Sequence, residues 1–242
     1  MAPILKLDRL SKNFAGLAAL KDVSFEVEEG GLFGMIGPNG AGKTTLLSII
    51  AGSVQATSGS IVFQGREICG AKSYHAVRVG IARTHQIPKP FRGLSVLENV
   101  EVGLHFGRSK RSATDTKNAM EFLDRVALAH LNLMPASSLS VGDMKRLELA
   151  RTLAARPSLL LCDEVCSGLT ETEAASILEL LCDIRRTGTS ILYVEHNLRA
   201  VMSICDRVIV MNSGQKLAEG PPDAVQNNPS VIEAYIGKTA GK

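Results

Sequence analysis

Two segments near the N-terminus, ILKLDRL and VSFEVEEGG, alternate apolar and polar residues, and a period of two is typical of half-buried strands. GLFGMIG has the composition of a buried strand that ends in glycine. KTTLLSIIAG has the length of a helix, and GSIVFQGREI indicates a further half-buried strand. The N-terminal part of the chain is therefore predicted to be mainly β structure with one helix.

The pattern changes in the middle of the chain. From about Leu94 to Arg156, apolar residues recur at helical spacing in VLENVEVGL, NAMEFLDRVAL and DMKRLELARTLAA. Prolines and a glycine precede this region, and a proline follows its last segment. The region is predicted to be a helical insert.

Strands and helices then alternate. The strand segments are SLLLCDE, TSILYVEH and RVIVMNSG, and the helical segments between them are ETEAASILELLCDIRRTG and LRAVMSICD. Such alternation predicts a largely parallel sheet with helices on both faces. A sheet domain interrupted by a helical lobe is the simplest α/β architecture that accommodates all three regions.

Composition excludes some classes of protein. The 242 residues are 45% hydrophobic, which is enough for a sizeable core, and the formal net charge is only +3. We therefore expect no nucleic-acid partner, and the one basic cluster, GRSKR, is interpreted as a solvated loop. No segment approaches the ~20 apolar residues of a membrane span, and the start lacks the long apolar stretch of a signal peptide.

The five cysteines are not arranged as a disulfide framework, because their number is odd and their spacing unpaired. Cys162 and Cys166 lie near each other, but no Cys–His set completes a zinc site. Small core residues in a reducing compartment are the expected role.

The segment GPNGAGKTT fits the pattern G-x-x-x-x-G-K-[ST], with a predicted strand before it and a predicted helix after it. Such a loop presents backbone N–H groups and a helix N-terminus to phosphate oxygens. Lys43 is expected to reach the β and γ phosphates, and the Thr44 hydroxyl to hold Mg²⁺. A glycine-rich turn with a chance lysine is the alternative. The candidate nucleotide-binding residues are Gly37, Pro38, Asn39, Gly40, Ala41, Gly42, Lys43, Thr44 and Thr45.

Two adjacent carboxylates follow the apolar run in LLLCDE, where burial without partners would be unfavourable. Beside a phosphate-binding loop, a carboxylate at the end of a neighbouring strand can hold the Mg²⁺ shell, and we predict this for Asp163. Glu164 can then orient and polarise the water that attacks the γ-phosphate. The alternative is that both residues cap the following turn.

Three further motifs occur along the chain: ARTHQ, SLSVGDMKRLELAR and YVEH. Together with the phosphate-binding loop, their order resembles that of ATP-binding-cassette (ABC) ATPases, and SLSVGDMKRLELAR resembles the signature sequence of that family. ARTHQ ends in Gln86, which matches the Q-loop glutamine, and YVEH ends in His196, which matches the switch histidine. The resemblance extends over nearly the whole chain.

The resemblance implies a P-loop NTPase fold with a RecA-like core, a small antiparallel β subdomain and an inserted α-helical subdomain. It implies boundaries of 1–88 for the first part of the ATP-binding lobe, 89–156 for the helical signature subdomain and 157–242 for the second part. ATP and Mg²⁺ are the implied cofactors, and ATP hydrolysis the implied activity.

The resemblance also implies roles for single residues. Phe14 falls where the family puts an aromatic ring on adenine, although a core ring is the alternative. Gln86 would contribute to the nucleotide site and to Mg²⁺, and His196 would contact the γ-phosphate as a second catalytic residue. Ser140 and Gly142 would contact the ATP bound to a second ATPase subunit.

Two longer segments, GIARTHQIPKPFRGLSVLENVEVGL and NNPSVIEAYIG, are similar to one of the two ATPase subunits of branched-chain amino-acid importers. This implies a hetero- or homodimeric pair of ATPases, two membrane permeases and, indirectly, a solute-binding protein. It also implies a peripheral location on the cytoplasmic face of the membrane. The alternatives are an importer of urea or short amides, a lipopolysaccharide exporter, a soluble ABC ATPase outside transport, and a nucleotide switch without hydrolysis.

Five positions depart from the family pattern. The family usually has Gly or Tyr at Val141, Gln at Asp143, Pro at Val165, Asp or Asn at Thr170, and an aromatic residue at His85. These departures concern mainly contributions across a dimer, through the signature and through the family's D-loop, whose place the segment SGLT from Ser167 to Thr170 occupies.

Overall fold

The computed structural model describes residues 3–107 and 115–236, so most of the basic cluster GRSKR lies outside the described residues. The larger of two sheets has six strands in the order β10-β9-β3-β8-β7-β6. Strands β9, β3, β8, β7 and β6 run parallel, and β10 is antiparallel to β9, which confirms the largely parallel sheet. The strands are β3 (Leu32–Ile36), β6 (Ile81–Arg83), β7 (Leu159–Asp163), β8 (Ser190–Val194), β9 (Arg207–Asn212) and β10 (Gln215–Gly220).

The smaller sheet is antiparallel, in the order β2-β1-β4-β5. Its strands are β1 (Pro3–Phe14), β2 (Leu17–Glu28), β4 (Ser58–Phe63) and β5 (Arg66–Glu67). The prediction of one strand for GSIVFQGREI was wrong, because the chain turns between β4 and β5. Gln64 and Gly65 both have positive φ, +48° and +74°, which is the backbone of a tight hairpin turn.

The predicted helical insert is confirmed by three of the nine helices in the described part of the chain: α3, α4 and α5. The helices are α1 (Lys43–Ile50), α2 (Ser73–Val79), α3 (Val96–Phe106), α4 (Asp115–Arg125), α5 (Val141–Ala154), α6 (Glu171–Arg186), α7 (Leu198–Ile204), α8 (Pro222–Gln226) and α9 (Pro229–Ile236). Strands β6 and β10 and helices α2, α8 and α9 were not predicted. Strand β6 has only three residues, and few residues of the other four elements are buried, so no apolar period marks them.

Local capping explains where α3, α5 and α6 begin. The side chain of Ser95 accepts a hydrogen bond from the Glu98 N–H while the Glu98 carboxylate accepts one from the Ser95 N–H, so the two form a capping box before α3. Thr170 and Glu173 form the same arrangement before α6, and Ser140 caps α5. These caps satisfy N–H groups that the helices themselves leave unpaired.

The two faces of the parallel sheet pack against different partners. One face, which includes Leu32 and Ile36, shares a core with the helical insert and with α6 and α7. The other face, which includes Phe33 and Met35, packs against α1 and the antiparallel sheet. Helices therefore lie on both faces, as predicted for the α/β class, and the antiparallel sheet covers much of the second face. The boundaries at residues 88 and 156 remain predictions.

The carboxyl ends of the parallel strands meet at one edge of the larger sheet. The loops after β3, β7 and β8 all leave this edge. They carry the phosphate-binding segment that begins at Gly37 (the P-loop), Asp163 with Glu164, and His196. Ligands of open α/β sheets bind at this edge as a rule. In the part of the chain that the structure describes, no helix is both long and apolar enough to cross a membrane.

Candidate nucleotide site

The segment from Gly37 to Gly42 forms the loop between β3 and α1, and its backbone requires glycine at two positions. Gly37 and Gly42 have φ of +151° and +98°. A Cβ at Gly37 would lie 2.1 Å from the carbonyl oxygen of Met211, and a Cβ at Gly42 would lie 2.7 Å from that of Ala19. No side chain fits at either position, so the loop can adopt this path only with glycine there. Thr44 follows at the start of α1 and is exposed.

Lys43 lies under the loop rather than in solvent. The residue is 7% exposed, and its Nζ donates hydrogen bonds to the carbonyl oxygens of Gly37, at 2.6 Å, and Pro38, at 3.0 Å. Burial lowers the pKa of Lys43, while the nearby charges of Asp163 and Glu164 act in the opposite direction. Two carbonyl oxygens accept hydrogen bonds from the ammonium but do not neutralise its charge. Lys43 is therefore suited to bind a phosphate.

Asp163 is the last residue of β7 and is 1% exposed. Its Oδ2 accepts a hydrogen bond of 2.7 Å from Nη2 of Arg83, on the neighbouring strand β6. Its Oδ1 is buried and finds no hydrogen-bond partner among the described residues. A buried carboxylate oxygen without a partner is costly, so the structure leaves this oxygen able to accept from a ligand or a hydrated cation.

Glu164 has a left-handed backbone, with φ of +49°, and its neighbours hold it in place. Its N–H donates to the Val194 carbonyl at 2.9 Å, and its own carbonyl accepts from Nζ of Lys145 at 3.1 Å. Its Oε2 accepts from Nε2 of Gln86 at 2.6 Å and lies 3.9 Å from Nδ1 of His196. The structure thus brings Glu164, Gln86 and His196 together. A left-handed backbone at a non-glycine residue such as Glu164 is strained, and such strain often occurs at functional positions.

Glu195 is a further buried carboxylate at this edge, 1% exposed, and sequence reasoning missed it. It accepts hydrogen bonds from the N–H groups of Cys166, at 3.0 Å, and His196, at 3.3 Å. Burial raises its pKa. The residue links the segment after β7 to the segment after β8, and both border a cleft of about 490 Å³ that also contains Gly168.

Ser140 and Gly142 lie at the start of α5, where two carboxylates are close by. Oγ of Ser140 donates to Oδ2 of Asp143 at 2.7 Å, and the Asp143 N–H donates back to that Oγ at 3.1 Å. A Cβ at Gly142 would lie 2.7 Å from Oε1 of Glu173. Asp143 therefore does not point away from the helix start, because its carboxylate accepts from the Ser140 hydroxyl.

Phe14 ends β1 and is exposed over 44% of its surface, so it is not a core ring. The ammonium of Lys12 lies 4.7 Å from the ring centroid. Ala19, in the strand that follows the same turn, approaches Gly42 of the P-loop. An aromatic face is thus available on a strand pair that touches the P-loop.

Comparison with known proteins decides the family. A family model described as "ABC transporter" matches residues 20–167. This chain belongs to the ABC transporter family. The chain is an ATP-binding cassette, and its family membership makes it an ATP hydrolase. A second model, described as "Branched-chain amino acid ATP-binding cassette transporter", matches residues 215–241 of the cassette.

The similarity extends over the full length of the cassette. The high-affinity branched-chain amino acid transport ATP-binding protein LivG of Salmonella typhimurium is 36% identical, with 98% of both chains covered. The corresponding protein BraF of Pseudomonas aeruginosa is also 36% identical, with 98% of both chains covered. A nucleotide-free ATP-binding cassette from an ABC transporter superposes with a TM-score of 0.90 at 30% identity, covering 98% of this chain and all of the other. The predicted P-loop NTPase fold is confirmed.

The cassette contains a second group of charged residues that sequence reasoning did not assign. Glu148 of α5 is 4% exposed, and its carboxylate accepts from the N–H groups of His85, at 2.7 Å, and Lys89, at 3.1 Å. Arg151, one turn later, donates to the Lys89 carbonyl at 2.9 Å. Helix α5 thus holds the backbone on both sides of Gln86. The one indication of this role in the sequence was that Glu148 is a charged residue at a core-facing position of the helical segment RLELAR.

Proposed function

We propose that the cassette binds ATP between the P-loop, Lys43 and Phe14, and hydrolyses it with Glu164 and His196. The observation that carries this proposal is the convergence of Gln86, Glu164 and His196 at the sheet edge where the P-loop begins. Glu164 would accept a proton from the attacking water and polarise it. His196 would contact the γ-phosphate and help to hold the attacking geometry.

Mg²⁺ fits the residues that the site provides. The free Oδ1 of Asp163, the exposed hydroxyl of Thr44 and the amide of Gln86 are hard oxygen donors, which Mg²⁺ prefers, and such a site usually retains several waters. No group of three His, Cys, Asp or Glu side chains suited to a metal occurs in residues 3–107 and 115–236. Bound Mg²⁺ would neutralise part of the charge on the β and γ phosphates.

The site is proposed to be completed by a second ATPase subunit. Ser140 and Gly142 would face the ATP bound to that subunit, from the N-terminus of α5. The partner is proposed to be a different chain in a heterodimer, with a homodimer as the other arrangement that the resemblance permits.

The segment after Gln86 is proposed to transmit closure to two membrane permeases. Ile87 is 73% exposed and Phe91 is 48% exposed, although both are apolar. Glu148 and Arg151 of α5 hold this segment, so a rotation of α5 would move it. The cassette would therefore lie on the cytoplasmic face of the membrane, held there by the permeases.

The transported solutes are proposed to be branched-chain amino acids or similar small polar molecules, delivered by a solute-binding protein. What supports this is the full-length similarity to LivG and BraF and the family model matched at residues 215–241. The test is uptake of labelled leucine into proteoliposomes that contain the permeases, both ATPases and the binding protein. ATP-dependent uptake of urea or acetamide in place of leucine would refute branched-chain amino acids as the solutes, and export of a lipid would refute import.

The purified cassette alone is expected to be mainly monomeric and a poor ATPase, because one chain supplies only half of each composite site. Sedimentation velocity and a phosphate-release assay at the same protein concentration test this. Rapid hydrolysis at concentrations where only monomer sediments would refute the composite site.

The substitution Asp143→Gln is expected to raise ATP affinity or turnover in the assembled transporter. The Asp143 carboxylate engages the Ser140 hydroxyl and adds negative charge where the partner's γ-phosphate would approach. We expect a gain of about fivefold, which corresponds to roughly 1 kcal/mol and is below the ~1.5–3 kcal/mol of a hydrogen bond to a charged group. Glu179→Gln, on the exposed face of α6, is the matched control. No change in either quantity would leave Asp143 with a helix-capping role alone.

A further inference from the structure

The carboxylate of Asp163 is held on one side only. Arg83 donates to Oδ2 at 2.7 Å, while Oδ1 has no hydrogen-bond partner among the described residues, and the whole residue is 1% exposed. Taking a charged carboxylate out of water is unfavourable unless a partner compensates for the lost hydration. Arg83 supplies that compensation from the adjacent strand, where it is in register with Leu161 of β7.

The same guanidinium also contacts the helix that follows the P-loop. Nη1 of Arg83 donates to Oγ of Ser48 at 2.8 Å, and that hydroxyl donates to the carbonyl of Thr44 at 2.6 Å. One planar side chain thus joins the end of β7 to the first turns of α1. Its two amino groups are fixed relative to each other, which an ammonium cannot reproduce.

We propose that Arg83 is a positioning residue for the Mg²⁺ site. Arg83 fixes the Asp163 carboxylate so that Oδ1 remains free for the hydrated ion beside Thr44. The proposal rests on the ATPase function proposed above. Arg83 itself would touch neither the metal nor the nucleotide. Groups that hold a carboxylate near a metal typically change metal affinity by about 10–100-fold when they are replaced.

A purely structural role for Arg83 would have a different signature. If the guanidinium only neutralised a buried charge, its replacement would alter stability and would weaken nucleotide binding equally with and without Mg²⁺. If it positions Asp163 toward the ion, the loss would be confined to conditions that contain Mg²⁺. The informative quantity is therefore the Mg²⁺ enhancement, defined as ATP affinity in Mg²⁺ divided by ATP affinity in EDTA.

The experiment measures this enhancement for the full chain with a fluorescent ATP analogue. Arg83→Lys keeps a positive charge beside Asp163 but cannot bridge to Ser48, and we expect its Mg²⁺ enhancement to fall by about tenfold or more. Its affinity in EDTA should stay within about twofold of the unsubstituted chain. Mn²⁺ binding to the ADP complex, followed by electron paramagnetic resonance, should weaken by the same factor.

Two further variants make the result decisive. Ser48→Ala removes one anchor of the guanidinium and keeps the pair with Asp163, so its Mg²⁺ enhancement should fall less than that of Arg83→Lys. Arg185→Lys makes the same exchange in a partly exposed ion pair away from the site, where Nη2 of Arg185 lies 2.8 Å from Oδ1 of Asp206. It should leave the Mg²⁺ enhancement unchanged. Thermal unfolding shows whether each variant is folded. If Arg83→Lys is unfolded, the test rests on Ser48→Ala alone.

An unchanged Mg²⁺ enhancement in both Arg83→Lys and Ser48→Ala would overturn the proposal. An equal loss of affinity in Mg²⁺ and in EDTA would also overturn it, because Arg83 would then have a general structural role. An unsubstituted chain that binds no ATP in either medium would refute the ATPase function instead, so the two failures are distinguishable.

Discussion

The substitution Glu164→Gln is expected to abolish most ATP hydrolysis while ATP binding persists. The amide preserves the shape of the side chain, and its oxygen can still accept the hydrogen bond that Nε2 of Gln86 donates. It cannot accept the proton of the attacking water, and a positioned base typically contributes about 10²–10⁴-fold to the rate. We expect kcat of the assembled transporter to fall by about a hundredfold or more, measured by phosphate release.

The same substitution is expected to favour the ATP-bound closed pair of ATPases. Removal of one negative charge beside the γ-phosphate lowers the repulsion between protein and nucleotide. Size-exclusion chromatography with ATP should therefore show more dimer than for the unsubstituted chain. Turnover at the unsubstituted rate would remove Glu164 from the catalytic role, and Glu179→Gln on α6 should behave as the unsubstituted chain does.

The substitution Lys43→Ala is expected to weaken nucleotide binding by about ten- to a hundredfold. Lys43 is the cation that the P-loop encloses, and hydrogen bonds to charged groups contribute about 1.5–3 kcal/mol. Isothermal titration calorimetry with ATP measures the change. Unchanged affinity would contradict the assignment of this loop to phosphate.

The stability of the nucleotide-free Lys43→Ala chain separates binding from folding. Burial lowers the pKa of Lys43 because it disfavours the charged form, and this desolvation cost opposes the two hydrogen bonds that its Nζ donates to Gly37 and Pro38. Removal of the side chain should therefore change the melting temperature of the nucleotide-free chain only slightly. A large drop in melting temperature would mean that the affinity loss reflects unfolding. Lys72→Ala, at an exposed position before α2, is the matched control and should change neither quantity.

The sequence was sufficient to predict those parts of the cassette whose physical cause is local. The P-loop could be predicted because nine consecutive residues carry the glycines, the lysine and the hydroxyls that phosphate binding requires. The long helices α5 and α6 could be predicted because several turns repeat the same apolar spacing. The apolar segment before Asp163 indicated a buried carboxylate, because the last residue of a buried strand is itself close to the core.

Some short elements could not be predicted from the sequence. Helix α8 has five residues and β5 has two, so neither contains enough of a period to be distinguished from a turn. The hairpin between β4 and β5 requires a positive φ at Gln64. This conformation is uncommon for a non-glycine residue and could not be predicted from the residue type.

Only the tertiary structure decided which partners the buried charges have. Arg83 and Asp163 are distant in the chain, and they meet because β6 and β7 are neighbours in the sheet. Glu148 meets the backbone beside Gln86 because α5 packs against the end of β6. From the sequence, Asp143 could equally be a plain helix-start residue or a charge that opposes a phosphate. The rotamer that lets it accept from the Ser140 hydroxyl could not be determined from its position. The choice of partner for a buried charge depends on three-dimensional packing, because desolvation penalises every arrangement in which that charge stays unpaired.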